Sequence, residues 1–146
     1  MHTESDSPLS LLSLMSRMHV FWYRLTGGRV GGRVKGARVL LLATTGRKSG
    51  REHTTPLLYL EDGENLIIVA SFGGRNRNPA WYKNLRQNPV ARVEVKGLKR
   101  MMSAEVASAE EKARLWPLLT AMYPQYDSYQ HKTTREIPVV ILHQAE

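Results

Sequence analysis

A short basic segment, Thr44–Arg51, has the side chains that are needed to bind an anion. Its sequence, TTGRKSGR, combines two glycines with Arg47, Lys48 and Ser49. Glycine lets a backbone approach its ligand closely, arginine grips a phosphate with a planar fork of donors, and lysine acts as a mobile point charge. The spacing differs from that of a Walker A loop. The segment predicts either an anion site or a solvated hairpin turn, and its spacing alone favours neither.

A second glycine-rich basic segment, Ala70–Asn84, has the sequence ASFGGRNRNPAWYKN. Asn78 followed by Pro79 predicts the capped start of a short helix, and the N-terminus of a helix favours an anion. Trp81 lies in that helix. A single tryptophan on a short helix is more often a core anchor than a cofactor contact, so both roles stay open for it.

Three tyrosines, Tyr123, Tyr126 and Tyr129, follow one another at a spacing of three residues. This spacing places them along one helical face or turn. Each phenol has an apolar ring and a hydroxyl that can donate or accept a hydrogen bond. The pattern predicts either a pocket for a flat aromatic ligand or an amphipathic packing seam.

Other kinds of catalytic site have no matching pattern in the sequence. The five histidines are scattered without HxH or HExxH spacing, and there is no cysteine. Neither a Ser–His–Asp order nor a pair of carboxylates stands out. We therefore expect no metal ligands, and we expect catalytic power to come from a bound cofactor.

The positive charge of the chain is unevenly distributed. The net charge is +8, and the charged residues between Ser7 and Arg51 are all basic. Such a one-sided field attracts polyanions: nucleic acid, anionic lipid, or a phosphorylated or polycarboxylate ligand. A basic surface that serves only solubility is the alternative.

The helices that surround these segments are predicted from caps and apolar spacing. Residues 1–6 are expected to be a disordered lead-in, and residues 7–26 an amphipathic helix that ends at two glycines. A short helix is expected up to Asn88. Ser108 and Glu111 form a capping box for a last helix, which Pro117 should kink or restart.

Strands are predicted from apolar runs, alternation and turn signals. Pro56 lies within one of these strands and marks it as an edge or a bulge. The six predicted strands are Arg38–Thr45, His53–Leu60, Asn65–Ser71, Val90–Lys96, Leu98–Val106 and Ile137–Leu142. Because crossover helices do not separate them regularly, we expect one mainly β (α+β) domain over residues 1–146, with an antiparallel sheet or barrel and peripheral helices.

Three segments in this order resemble the deazaflavin-dependent nitroreductase and quinone reductase family. They are LLLATTGRKSGREHTTPLLYL, IIVASFGGRNRNPAWYKNLRQNP and MYPQYDSYQHKTTREIPVVIL, and the resemblance covers nearly the whole chain. Members of that family are split β-barrels that bind coenzyme F420, a flat deazaflavin with a phosphate and an oligoglutamate tail. The resemblance therefore implies a split β-barrel of about six mostly antiparallel strands.

The resemblance also implies roles for individual residues. Tyr126 or Ser71 would donate a hydrogen bond or proton to a developing oxyanion, and Leu58, Tyr123 and Tyr129 would form the acceptor side. The implied cofactor-binding residues are Arg47, Lys48, Ser49, Gly50, His53, Thr54, Thr55, Pro56, Leu57, Val69, Ala70, Ser71, Phe72, Ala80, Trp81, Tyr82, Lys83, Asn84 and Tyr126.

Two positions depart from the familiar family pattern. Phe72 stands where a lysine is often found, so the lysine contact of the family pattern is not carried over to this chain. Leu58 stands where a tyrosine is often found, which changes the acceptor pocket and argues against a simple transfer of nitroimidazole reduction to this chain.

The implied activity is hydride transfer from reduced F420 to a quinone or a nitro-aromatic acceptor. The alternatives are a split-barrel oxidoreductase that uses FMN and a non-enzymatic protein that stores F420 or binds nucleic acid. We expect a small-molecule acceptor rather than nucleic acid, and a cytoplasmic location. A peripheral contact of the first helix with anionic membrane and a homodimer remain open.

Overall fold

The computed structural model describes Arg17, Val20, Arg33–Val34 and residues 37–145. Arg17 and Val20 are helical, and the rest of the predicted first helix and lead-in lies outside the described residues. The strands are β1 (Arg33–Val34), β2 (Ala37–Thr45), β3 (Glu52–Leu58), β4 (Leu60–Asp62), β5 (Asn65–Val69), β6 (Val90–Val95), β7 (Leu98–Val106) and β8 (Val139–Gln144). The helices are α1 (Ala80–Gln87), α2 (Ala109–Met122) and α3 (Gln125–Lys132).

The eight strands form one antiparallel sheet in the order β1-β2-β6-β7-β8-β5-β4, with β3 paired to β2. The predicted mainly β architecture with peripheral helices is confirmed. Pro56 lies opposite Leu41 in β3, which pairs only with β2 among the described strands. A proline cannot donate to a further ladder, so its place on an edge strand agrees with the prediction.

Several predicted strand limits are wrong. The predicted strand His53–Leu60 ends at Leu58, although the buried Tyr59 still donates its N–H to Arg38 O at 3.1 Å, in register with the ladder to β2. Leu60 belongs to the short strand β4 and pairs with Ile67 of β5. The turn at Gly63 connects these two strands. Strand β5 stops at Val69, and β8 begins only at Val139.

The core lies on both sides of the sheet. Inside the barrel, alternate residues of the strands pack together, among them Leu40, Leu42, Ile68, Met102 and Leu142. On the outer face of β5 and β8, a second cluster packs against α2 and α3. Burial on both faces explains why β2 and β5 are nearly continuous apolar runs instead of alternating ones.

The helix ends follow from local hydrogen bonding. The predicted capping box of α2 is confirmed: Ser108 Oγ accepts from Glu111 N–H at 3.1 Å, and Glu111 Oε1 accepts from Ser108 N–H at 3.0 Å. The restart expected at Pro117 is wrong, because α2 continues through it and is anchored on both sides by the fully buried Leu115 and Leu119. For α1, the N-cap is Pro79 and not Asn78.

None of the helices within the described part of the chain is long and apolar enough to cross a membrane.

Candidate functional site

A cleft of about 1280 Å³ lies between β3, the two basic loops, α1 and α3. Strand β3 contributes one wall from Glu52 to Leu58, and the tyrosines of α3 and the preceding turn contribute another. The predicted residues that line it are Arg47, Lys48, Ser49, His53, Thr54, Thr55, Pro56, Leu57, Leu58, Val69, Ser71, Phe72, Ala80, Trp81, Asn84, Tyr123, Tyr126 and Tyr129.

The first basic loop is a tight turn between β2 and β3. Gly46 donates its N–H to Arg51 O at 2.7 Å and accepts at its own carbonyl from Gly50 N–H at 2.9 Å. A Cβ at Gly46 would lie 2.7 Å from both His53 Nε2 and Ser49 Oγ, so a larger residue there would displace these two side chains. The loop thereby presents Arg47 and Lys48 at the edge of the cleft.

Asn84 ties helix α1 to this loop from inside the protein. Its Oδ1 accepts from the backbone N–H and from Nη1 of Arg47, each at 3.1 Å, and its Nδ2 donates to Thr44 Oγ1 at 3.1 Å. Asn84 is 3% exposed and Thr44 1%. The resemblance implies a cofactor contact for Asn84, and the geometry adds a positioning role for it toward Arg47.

The second basic loop has an unusual backbone. Phe72 has a φ of 48°, and Gly73 and Gly74 have φ values of 64° and 81°. The guanidinium carbons of Arg75 and Arg77 lie 4.8 Å and 5.8 Å from the centre of the Phe72 ring, within cation–π distance. Phe72 thus contacts two cations, of which Arg75 lines the cleft.

Arg135 fixes this loop from the segment that leads into β8. Its Nε donates to Arg75 O at 2.8 Å, and its Nη1 donates to Asn78 Oδ1 at 2.8 Å. Its Nη2 donates to the carbonyls of Ser71 at 2.9 Å and Ala70 at 3.2 Å. Burial lowers the pKa of Arg135 from its ordinary value. One guanidinium therefore holds the whole bend from residue 70 to residue 78.

The tyrosines form a cluster that both packs and lines the cleft. Tyr126 is 4% exposed, and its ring lies edge-on to that of Tyr123 with centres 5.0 Å apart. The hydroxyls of Tyr123 and Tyr129 are 3.4 Å apart. Burial, with smaller effects from Tyr123 and Tyr129, raises the pKa of Tyr126 above its ordinary value of 10.0. The hydroxyl is therefore protonated and able to donate a hydrogen bond, and it is a weaker acid than an exposed tyrosine.

Four predicted cofactor residues lie away from the wall of the cleft. Ala70 is fully buried and Tyr82 is 8% exposed, and both pack in the barrel core. Gly50 and Lys83 are exposed outside the cleft. The phase of strand and helix decides the positions of Ala70, Tyr82 and Lys83, because neighbouring residues on one element point in different directions, whereas Gly50 lies in the loop between β2 and β3. Trp81 is 6% exposed in the core and also lines the cleft, so its core role is confirmed and its cofactor contact stays a prediction.

The cleft also contains residues that were not assigned a role in the sequence analysis. Five of them lie in the two basic segments singled out there: Thr44, Gly46, Gly73, Arg75 and Pro79. The other four, Arg17, Val20, Glu52 and Lys132, lie outside these segments, and nothing in the local pattern marks them. Arg135, behind the wall, was missed because its partners are 57 to 65 residues away in sequence. Within the described residues, no three His, Asp or Glu side chains come together as metal ligands.

Comparisons with known proteins place the chain in a family. The family model described as F420H(2)-dependent quinone reductase matches residues 15–144. A protein of Mycobacterium tuberculosis named putative F420H(2)-dependent quinone reductase Rv3178 is 47% identical over 103 residues, which cover 70% of this chain and 87% of that protein. The F420H(2)-dependent quinone reductase Rv1261c of the same species is 44% identical over 131 residues, covering 86% and 87%.

Solved structures extend the likeness to the fold. A structure of an F420-H2 dependent reductase, FDR-A, has a TM-score of 0.67 and 37% identity, and the match covers 72% of this chain and 93% of that one. Another, described as a domain-swapped dimer, has a TM-score of 0.70 and 31% identity, covering 94% and 100%.

Proposed function

The chain belongs to the family of F420H(2)-dependent quinone reductases, and from this premise we propose how its cleft holds cofactor and acceptor. It is an oxidoreductase whose cofactor is coenzyme F420 and whose acceptor is a quinone. The expectation of an F420-dependent split-barrel reductase is thereby confirmed.

The chemistry of the cleft fits this cofactor. A flat ring needs apolar and aromatic surfaces, which Pro56, Leu57 and Trp81 supply. A phosphate with a carboxylate-rich tail needs cations at one end, which Arg47 and Lys48 supply. The single observation that carries the proposal is that one cleft joins this cationic loop to the buried hydroxyl of Tyr126.

We assign the phosphate and tail to Arg47, Lys48 and Ser49. The two hydrogen bonds from Arg47 to Asn84 support this assignment, because they fix the arginine before a ligand arrives. Pre-organisation of a charged side chain reduces the entropy that is lost on binding. Arg75 and Lys132, across the cleft, extend the positive field along the path of the tail.

When bound, reduced F420 supplies the hydride. Strand β3 and Trp81 would orient the cofactor and the acceptor, and the surrounding apolar side chains would exclude water. Tyr126 would donate a hydrogen bond or its proton to the oxygen of the acceptor where negative charge develops. Ser71 is the second candidate donor, and Leu58, Tyr123 and Tyr129 shape the acceptor side.

A fluorescence titration with F420, followed by an acceptor screen, tests this assignment. We expect the protein to bind F420 and to consume its reduced form when menadione is added, seen as loss of the reduced cofactor by absorbance and fluorescence. A purified protein that carries a flavin and ignores F420 would instead support the FMN alternative. Binding without reduction of any acceptor would support a storage protein.

The same screen addresses nitro-aromatic acceptors. Leu58, at the position where the family often has a tyrosine, lies on the cleft wall beside Val39 and Leu41. An apolar side chain there offers no hydrogen bond to a nitro group. We expect quinones to be reduced faster than nitroimidazoles, and the ratio of the two kcat/KM values measures this preference.

Location and assembly are proposed on the same basis. We propose one domain in the cytoplasm, with a peripheral contact of residues 7–26 with anionic membrane and assembly as a homodimer. The similar structure described as a domain-swapped dimer supports the dimer. Light scattering coupled to size-exclusion chromatography gives the mass that decides between monomer and dimer.

A further inference from the structure

The hairpin between β6 and β7 carries an apolar side chain in a ring of positive charge. Its turn consists of Lys96 and Gly97, whose φ angles of 51° and 83° are typical of a type I′ turn. Leu98 follows at once and is 72% exposed, and the next residues, Lys99 and Arg100, are exposed cations. We call residues 96–101 the hairpin tip.

The ladders to the strands beside it stop near the base of the hairpin tip. The ladder between β7 and β8 begins at Met102, with one further bond from Ala145 N–H to Met101 O at 3.2 Å, and the ladder between β2 and β6 covers residues 92–94. Every residue of the tip is exposed, whereas Met102 is fully buried. Pairing of Val95 with Leu98 keeps the ribbon extended, so Leu98 cannot fold back onto the core.

A lone exposed leucine is ordinary, but this one has unusual surroundings. Met101, also in the tip, is 52% exposed, and three cations stand within five residues. Lipid headgroups attract such cations while the acyl boundary accepts the apolar side chain. A nucleic acid would use the cations and leave Leu98 in water, and two copies meeting tip to tip would bring like charges together.

The position of the hairpin tip relative to the cleft adds a reason for a lipid surface. Leu41 of β2 pairs with Pro56 of β3 on one side and with Glu94 of β6 on the other. Toward the start of β2, Val39 pairs with Leu58 of β3. The tip therefore lies toward the end of β2 where Leu58 lines the cleft. The basic loop at Gly46–Arg51 lies at the opposite end of the same strand.

We propose that the hairpin tip docks on an anionic lipid bilayer, with Leu98 inserted at the boundary between headgroups and acyl chains. The choice of lipid over other surfaces rests on the proposed function, since an apolar quinone dissolved in the bilayer would then meet the Leu58 end of the cleft. The basic loop would face the water from which an anionic cofactor arrives.

Sedimentation with vesicles tests the docking without cofactor or acceptor. The full-length protein is mixed with vesicles of phosphatidylcholine alone or of phosphatidylcholine and phosphatidylglycerol. We expect binding only to the anionic vesicles and a loss of at least about tenfold in partitioning for Lys99→Glu. Arg86→Glu makes the same change of net charge on an exposed residue of α1 and should keep most of the binding.

The apolar contribution has its own matched pair. Leu98→Ser should weaken binding severalfold, whereas Leu118→Ser, which removes a leucine that is 48% exposed on α2, should not. Leu98→Trp should gain fluorescence quenching by lipids with brominated chains, and Leu118→Trp should not. In lipid-free buffer, all variants should oxidise reduced F420 with menadione at the rate of the parent. This activity assay tests the proposed function independently of vesicle binding.

Three results would overturn the proposal. They are equal binding to neutral and anionic vesicles, retention of binding in both Lys99→Glu and Leu98→Ser, and equal loss in the matched controls. If the parent is a dimer in lipid-free buffer and Leu98→Ser makes it a monomer, the hairpin tip is a contact between two copies of the chain and not a lipid-binding surface.

Discussion

At the scale of single residues, the cleft depends on polar groups whose state is set by their surroundings. Tyr126 keeps its proton because burial disfavours the phenolate. Arg47 is aimed by the buried amide of Asn84, whereas Lys48 is exposed and has the mobility of a long side chain. In the proposed site, Arg47 and Lys48 therefore supply the charge that binds the cofactor, and Tyr126 supplies the proton or hydrogen bond for the acceptor.

Lys48→Glu should weaken F420 binding by at least about tenfold, because a charge-assisted contact is replaced by repulsion. The melting temperature should change little, since Lys48 is exposed. A fluorescence titration measures the Kd. Lys83→Glu is the matched control: this exposed lysine of α1 lies off the cleft wall and should leave the Kd nearly unchanged. Equal affinity of Lys48→Glu and the parent would contradict the assignment of the phosphate.

Tyr126→Phe should lower kcat about 100-fold while the Kd for F420 stays within a few-fold of the parent, because only the hydroxyl is removed. Single-turnover oxidation of the reduced cofactor measures the rate. Ser71→Ala serves as the comparison. If that variant loses the rate and Tyr126→Phe does not, Ser71 is the donor.

The buried phenol also predicts how stability depends on pH. The pKa of Tyr126 lies above its ordinary value of 10.0, so the unfolded chain releases this proton first as the pH rises. The corresponding stability is present below about pH 10 and is lost as the pH rises toward the folded pKa. Urea unfolding on both sides of pH 10 should show a steeper loss for the parent than for Tyr126→Phe. Parallel curves would mean that Tyr126 titrates normally.

At the scale of elements, loops that look flexible in sequence are held from behind. Asn84 links α1 to the loop between β2 and β3, and Arg135 links the approach to β8 with the bend at residues 70–78. Gly74 fits against the backbone of α3, where a Cβ would lie 3.0 Å from Tyr129 O. The two basic loops are therefore parts of a rigid frame.

Arg135→Lys tests this frame. The lysine ammonium cannot reproduce the planar guanidinium of Arg135, which donates to three backbone carbonyls and to the side-chain amide of Asn78. Some of these acceptors therefore lose their hydrogen-bond partner. We expect a loss of about 1–3 kcal/mol in the free energy of unfolding and a higher Kd for F420. Hydrogen exchange should rise at residues 70–78 more than in β6. The KM for a quinone at saturating F420 should change less than the Kd for F420, and an unchanged Kd would show that Arg135 serves stability alone.

At the scale of the whole molecule, the chain carries a net charge of +8, and we propose its cleft as the site of an anionic cofactor. Such a field accelerates the encounter of oppositely charged partners and is screened by salt. We expect the association rate of F420 to fall about tenfold between low and moderate salt, with a smaller change in its dissociation rate. Stopped-flow fluorescence measures both rates, and an association rate independent of salt would contradict steering.

Much of the fold was predictable because its signals are local. Apolar runs marked the main strands of the sheet, and Ser108 with Glu111 marked the start of α2. Gly63 after Asp62 marked a hairpin. The exact ends were not predictable, since they depend on partners across the sheet: Leu60, predicted in the same strand as His53, pairs instead with Ile67.

The sequence by itself determined the antiparallel architecture, the two cationic glycine-rich loops and the tyrosine cluster, since propensity, charge and spacing are written in neighbouring residues. Only the tertiary structure decided that Ala70 and Tyr82 face the core and that Asn84 and Arg135 hold the loops. The physical reason is that the direction of a side chain and the partner of a buried polar group are fixed by packing between segments that are distant in sequence.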